Sequence, residues 1–244
     1  MSDAGSRGAR SNSSVWAVVP AAGTGSRMRD SMPKQYMPLA GKRLAEHTLA
    51  ALLAVTDIRE TVVAIAADDL HWQALPQPLR ERVRVVVGGP TRAASVLNAL
   101  HGFSAAPEPD DWVLVHDMAR PCIRPQQIIA LMDELAADAV GGLLALPLTD
   151  TLKRVDDTRR VVATLSREAL WRAQTPQMFR FDALERALRE ALEAGVEITD
   201  EAMAIERLGL CPRLVPGSED NIKITHPEDL ALAEHHLSRH GGLS

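Results

Sequence analysis

The sequence predicts an α/β fold: a mostly parallel, twisted sheet covered by helices on both faces, a Rossmann-like architecture. Three observations carry this expectation. Short β-branched or apolar runs recur at Val15–Val19, Thr61–Ala67, Val83–Val87, Trp112–His116 and Val140–Leu146. Each is followed by a longer stretch with helical spacing, and strands that alternate with helices build parallel sheets. The chain has 244 residues, 46% of them hydrophobic and 24% charged, enough for one large α/β domain or a domain with a small appendage, and too apolar to stay disordered.

Taken in order, residues 1–14 are polar and small, with no apolar segment, and read as a loose, disordered tail and not as a signal peptide. The first strand, Val15–Val19, runs into the glycine loop discussed below. Thr91–Phe103, Arg124–Ala137 and Phe181–Ala194 are the clearest helices. In the last, Leu184, Leu188, Ala191 and Leu192 form one stripe while Glu185, Arg189, Glu190 and Glu193 face away, which marks core and not a site. Between Pro147 and Arg172 the pattern changes to two short β-like runs around DDTRR, the reading of a hairpin-like arm that leaves the alternation. Asn221–Thr225 reads as a final short strand, and Thr225 with Glu228 fits a capping box opening a helix over Asp229–His236.

The formal net charge of −5 and an aromatic content of 3% argue against a nucleic-acid reader, which usually shows a basic face or stacking platforms. No window approaches the roughly 18 unbroken apolar residues of a membrane span. A cytoplasmic protein with no membrane partner is expected, and its two cysteines, Cys122 and Cys211, read as reduced thiols.

The stretch Pro20–Tyr36, PAAGTGSRMRDSMPKQY, holds the chemistry. Gly23 and Gly25 follow a strand, where backbone N–H groups can converge on an anion. A dinucleotide fingerprint needs a third glycine where Met28 stands, which removes a dehydrogenase reading, and no Gly-Lys-Ser/Thr follows for a Walker A loop. The loop is therefore a phosphate cradle of another kind or a tight turn. From Gly23 to Arg43 the chain carries Arg27, Arg29, Lys34, Lys42 and Arg43 against Asp30 alone. Such one-sidedness beside backbone donors favours a polyphosphate guest.

Four further motifs stand at predicted strand ends and turns. HDMARP puts His116, Asp117 and Arg120 at the carboxyl end of a strand, where open α/β sheets bind ligands. Asp117 is either a turn or helix cap or, with a phosphate loop on the same edge, a candidate Mg²⁺ ligand or hydroxyl acceptor; His116 reads as structural. GGPTRAASV after Val83–Val87 puts a double glycine at a strand-to-helix turn. Lys223 in NIKIT points opposite to Ile222 and Ile224, as on the wet face of an edge strand, and Thr199 in ITDEA alone reads as the N-cap of the following helix.

PAAGTGSRM with PKQY resembles the nucleotidyltransferases that join a nucleoside triphosphate to a phosphorylated sugar or polyol. With GGPTRAASV, HDMARPC, TDTLKR, LWRAQTPQMF, ITDEA and NIKITHPEDL in this order, the chain is similar to the 2-C-methyl-D-erythritol 4-phosphate cytidylyltransferases of the non-mevalonate isoprenoid pathway, from roughly Val15 to Leu237. The resemblance implies a single nucleotidyltransferase domain over 15–239, with the arm at about 147–172 reaching a second subunit of a homodimer. It also implies CTP, the polyol phosphate and Mg²⁺ as partners. It assigns Ala21, Ala22, Gly23, Gly25, Gly89, Arg92, Ser95 and Asp117 to the nucleotide. Asp117, Arg120, Thr151, Arg167, Thr199 and Lys223 fall to the acceptor, Asp117 also to the metal, and Arg27, Lys34, Lys223 and Arg167 to catalysis, with Thr151 and Arg167 serving the neighbouring site. Pro90 and Met118 depart from the usual aspartate and alanine, which bears on selectivity for cytosine. Rival expectations are the same chemistry on another polyol phosphate, such as ribitol 5-phosphate, and a CTP-binding module without turnover.

Overall fold

The computed structural model describes residues 13–23 and 32–239. Residues 1–12 of the expected tail, together with Gly25 and Arg27, lie outside the described residues. In chain order the strands are β1 (Val15–Ala21), β2 (Pro38–Leu39), β3 (Lys42–Arg43), β4 (Ile58–Ile65), β5 (Arg84–Val87), β6 (Trp112–Val115), β7 (Gly141–Pro147), β8 (Leu152–Val155), β9 (Val161–Leu165), β10 (Trp171–Arg180) and β11 (Arg213–Pro216). The helices are α1 (Leu44–Leu53), α2 (Gln77–Arg80), α3 (Arg92–Leu100), α4 (Pro125–Leu135), α5 (Phe181–Glu193), α6 (Glu201–Arg207) and α7 (Glu228–Arg239).

Seven strands form the central sheet in the order β11-β7-β10-β6-β1-β4-β5. Only β10 runs against the others: it is antiparallel to both β6 and β7, while the β1–β4, β1–β6, β4–β5 and β7–β11 pairings are parallel. From β1 the chain first builds outward through β4 and β5, then returns to place β6 on the other side. That reversal opens a crevice beyond the carboxyl ends of β1 and β6.

The strands are apolar on both faces because both faces are covered. Along β1, Ala17 and Val19 join one core with Leu49 and Leu52 of α1 and Ile128 and Leu131 of α4. The intervening Trp16 and Val18 join the other, with Val96 and Leu100 of α3, Leu184 and Leu188 of α5 and Ile205 of α6. A smaller cluster of Leu39, Leu44, Cys122, Ile224 and Ala233 seats α7 against the segment that precedes α1.

The expected alternation is present, and the 147–172 region contains the antiparallel hairpin β8–β9 as a separate two-stranded sheet. Its turn is tied by Asp156 Oδ1, which accepts from the Thr158 and Arg160 N–H groups at 2.9 Å each. Three details differ from expectation. The strand β10 was hidden because Pro176, Gln174 and Gln177 interrupt any apolar pattern, and prolines belong in strands only at edges and bulges. Here Pro176 falls where the pairing with β7 slips between Ala173 and Gln177. Residues 221–225 are not a strand: Ile224 instead donates its N–H to the Ala119 carbonyl at 2.8 Å. The cap of α7 uses Asp229 in place of Glu228, Oδ2 accepting from the N–H groups of Thr225 and His226 at 2.7 and 2.8 Å.

Gly142 in β7 shows how closely β11 is drawn in, since a Cβ there would stand 2.0 Å from the Arg213 carbonyl oxygen. Gly142→Ala should therefore separate β7 from β11 and lower stability by about 1–3 kcal/mol, as overpacking of a closed site does. Urea unfolding measures this, and an unchanged midpoint would contradict the packing described.

Candidate active site

A cavity of about 230 Å³ opens at the crevice, lined by the ends of β1 and β6, the turn after β5 and the loop that carries Lys223. Ala21, Ala22 and Gly23 form one wall; Gly89, Pro90, Arg92 and Ser95 form another. Gly88 is needed where the two meet, because a Cβ there would come 2.5 Å from the Ala22 Cβ. Thr91 caps α3 by accepting from the Ala94 N–H, and Ser95 Oγ accepts from the Gly89 N–H at 3.1 Å, so the turn presents a fixed backbone to the pocket.

Lys34 opens a short 3-10 turn that is pinned through its next two residues. Gln35 donates through Nε2 to the Ala21 carbonyl at 2.9 Å, and the Tyr36 hydroxyl donates to Asp69 Oδ2 at 2.6 Å. With its neighbours fixed, Lys34 Nζ reaches the Ile224 carbonyl at 3.0 Å, beside Lys223. Lys34, Asp117 and Lys223, which lie far apart in sequence, all line the one cavity.

Asp117 is the junction of the charges. Its Oδ2 lies 2.7 Å from Lys223 Nζ, and its Oδ1 accepts from Arg92 Nε at 3.0 Å. Burial favours the neutral carboxyl, but the Arg92 and Lys223 charges outweigh it and hold Asp117 well below the usual carboxylate range. The same guanidinium pairs in a fork with Glu201, Nη1 to Oε1 at 2.5 Å and Nη2 to Oε2 at 2.9 Å. Arg120 lies buried beside the junction, donates to the Asn221 and Ala173 carbonyls, and has its pKa pushed down by burial.

The loop after β6 is braced from two elements and by its own first residue. Thr48 of α1 donates its hydroxyl to the Met118 carbonyl at 2.8 Å. Thr175 of β10 accepts the Asp117 N–H at 3.0 Å. His116, fully buried, has Nε2 3.2 Å from the Arg120 carbonyl, which can only accept, so Nε2 carries the proton; Nδ1 then accepts the Thr175 hydroxyl at 3.1 Å. This histidine ties the ends of the turn 117–120 together.

Other expected residues sit elsewhere. Thr151 and Arg167 lie exposed beside or beyond the hairpin strands, where Arg167 Nη1 donates to the Thr149 carbonyl of its own chain, and neither lines the cavity. Thr199 is exposed; Asp200, not Thr199, caps α6 by accepting from the Met203 N–H at 3.0 Å. Glu201 and Thr175 were missed. Glu201 stands in the ITDEA motif two residues after Thr199, but no local pattern says that a glutamate will be buried against a distant arginine. Cys122 is buried and Cys211 exposed, both as free thiols, and among the described residues no helix is long and apolar enough to cross a membrane.

Residues 15–239 match the family model described as IspD, 2-C-methyl-D-erythritol 4-phosphate cytidylyltransferase. A curated protein of that name from Azoarcus sp. (strain BH72) is 51% identical over 233 residues, covering 93% of this chain and 96% of the relative. Another from Vibrio vulnificus (strain YJ016) is 49% identical over 231 residues, covering 95% and 98%. The crystal structure of the Francisella tularensis protein of the same name superimposes with a TM-score of 0.79 at 36% identity, covering 92% of this chain and all of that one.

Burial pushes the His116 imidazole down to about 4, against the attraction of Asp117. The unfolded chain, with a histidine near 6.5, then binds more protons than the native one between pH 6.5 and 4. Stability should fall as pH drops through that window, by on the order of 3 kcal/mol for a shift of this size. His116→Gln should flatten the slope of the unfolding midpoint across it; an identical slope in the variant would assign the effect to another group.

Proposed function

Because the chain belongs to the 2-C-methyl-D-erythritol 4-phosphate cytidylyltransferase family, we propose that the crevice at the carboxyl ends of β1 and β6 is where that reaction runs. The enzyme transfers CMP from CTP to 2-C-methyl-D-erythritol 4-phosphate, giving 4-diphosphocytidyl-2-C-methyl-D-erythritol and pyrophosphate. The observation that carries the site assignment is the convergence of Lys34, Asp117, Lys223 and Arg92 on one cavity.

The acceptor's phosphate oxygen attacks the α-phosphorus of CTP while the bond to pyrophosphate breaks. A phosphate monoester has its second pKa at about 6, so the nucleophile is already ionised at neutral pH and needs no general base. His116 supports this reading: it is buried, holds its single proton on the Arg120 carbonyl and has no free nitrogen for a substrate. Catalysis therefore falls to position and charge. Lys34 and Arg27 stabilise the charge that develops on the α- and leaving phosphates. Lys223 holds the acceptor phosphate, Arg120 lies behind it, and the turn Gly89–Ser95 with Ala21–Gly23 receives the nucleoside.

A magnesium ion fits the charge of two polyanions, and the donor set says how it would be held. Among the described residues no group of three or more His, Cys, Asp or Glu side chains converges on a metal-sized gap. Both oxygens of Asp117 are engaged, so direct ligation by it requires Lys223 or Arg92 to give way. An ion bound mainly by the triphosphate's own oxygens suits this site, and when bound it neutralises phosphate charge.

The arm is proposed to reach a second subunit and to lend Thr151 and Arg167 to its site. Support comes from their absence from the lining of their own chain's cavity and from the exposed Val155, Val161, Val162, Leu165 and Trp171 on and around the hairpin. Met118 is buried with its carbonyl held by Thr48, and Pro90 is exposed at the rim, so base selectivity is assigned to the backbone of the turn and not to an acidic side chain there.

Pyrophosphate release, measured with CTP, Mg²⁺ and each polyol phosphate in turn, should be supported by methylerythritol phosphate; release with ribitol 5-phosphate alone would change the acceptor and leave the chemistry intact. Lys34→Met, which keeps bulk and removes charge, should lower turnover by about 10² to 10³ in a folded protein. Arg167→Ala should also be impaired, and mixing the two variants should restore part of the wild-type rate, because one site of each mixed dimer is whole. A mixture no more active than its components would reject the shared site.

A further inference from the structure

Glu201 is fully buried at the start of α6 and reaches the cavity only through Arg92. Burying a carboxylate costs several kcal/mol unless its partner is well placed, and Arg92 already has Asp117 as a counter-charge. With Asp117 shared between Arg92 and Lys223, a second carboxylate balances charge, but balance alone fixes no orientation for it, and the orientation calls for a reason. The geometry supplies it: the two Glu201 oxygens take Nη1 and Nη2 in a planar fork, which fixes the plane of the guanidinium and aims Nε at Asp117 Oδ1.

Glu201 is itself held from the sheet. Gln177 of β10 donates to Asp200 Oδ2 at 2.9 Å and accepts from the Ala202 N–H at 2.8 Å, clamping the residues on either side of it. A continuous path therefore runs from β10 through Glu201, Arg92 and Asp117 to Lys223, alternating in sign from the buried carboxylate to the ammonium at the rim. Lys223 is the most exposed member, with 43% of its side chain accessible, and Asp117 is its anchor at the inner end.

We infer that Glu201 is a positioning residue: it orients Arg92, so that Asp117 and through it Lys223 stand where the acceptor phosphate must be received. The inference rests on the function proposed above for this site. Without Glu201 the guanidinium is free to turn toward Asp117 end-on or toward the nucleotide phosphates. Either motion shifts Asp117 and loosens Lys223.

The test compares the full-length wild type with Glu201→Gln, Glu201→Asp and a core control, Leu188→Ala, in steady-state kinetics at a temperature where all are folded. Glu201→Gln should lose at least about tenfold in kcat, with a raised KM for the polyol phosphate, as expected for misplaced reacting groups. Leu188→Ala, destabilised but remote, should keep both KM values. Wild-type kinetics in Glu201→Gln, or equal losses in the control, would overturn the inference. Should Glu201→Gln fail to fold, Glu201→Asp decides, since it keeps the charge and retracts it by one methylene: wild-type constants refute the role and a raised acceptor KM supports it. An inactive wild type would instead indict the functional reading, and a crystal structure of a folded Glu201 variant then settles the inference by whether the Asp117–Lys223 pair of 2.7 Å is displaced or unmoved.

Discussion

Asp117 is a carboxylate taken almost wholly out of water and shared between two cations from opposite sides of the crevice, Arg92 and Lys223. A pair of this kind gives little net stability compared with apolar packing, yet removing one member leaves a buried charge and costs about 3–5 kcal/mol. The arrangement is therefore poor cement and good carpentry. It keeps positive side chains extended toward the place where phosphates arrive, in a protein whose overall charge of −5 would otherwise work against them.

The fold explains why such a junction can exist here. Six strands running one way end at a common edge, and the reversal of strand order beside β1 leaves a gap at that edge. The seventh strand, β10, runs the other way, and the slip in its pairing with β7 turns Gln174 and Thr175 toward the loops at the crevice. Bulges commonly re-aim side chains in this manner. Thr175, His116 and Thr48 then hold the turn after β6 from below, and Ile224, buried in its own apolar cluster, fixes the loop that bears Lys223.

Five of the six parallel strands, the helices α3, α4 and α5 and the hairpin could be read from the chain, because each rests on local periodicity or turn chemistry; α1 and the short edge strand β11 could not. The cavity wall was legible in part: Asp117 just past β6 and Lys34 among one-sided cations follow from position and charge, while Gly89 and Ser95 were reached through the resemblance of GGPTRAASV. What escaped was whatever tertiary structure alone decides. Gln177 and Pro176 do not look like strand residues until a neighbour with a slipped register is present. Glu201 looks like a solvated helix residue until Arg92 arrives from 109 positions away. His116 carries no signal that its two nitrogens will splice a turn. Asn221–Thr225 alternates like a strand, but its N–H groups go to loop carbonyls, those of Asn221, Ile222 and Ile224 to Ser218, Asp220 and Ala119.

One feature of β10 reaches further than its place in the sheet. Its 10 residues lead from Trp171, at the root of the arm, through the slip between Ala173 and Gln177 to Arg180, beneath the crevice. A beam shared in this way transmits torque: whatever grips the hairpin also bears on Thr175 and Gln177, and so on the turn that carries Asp117. Grip on the arm and tautness of the floor beneath the crevice are thus mechanically inseparable.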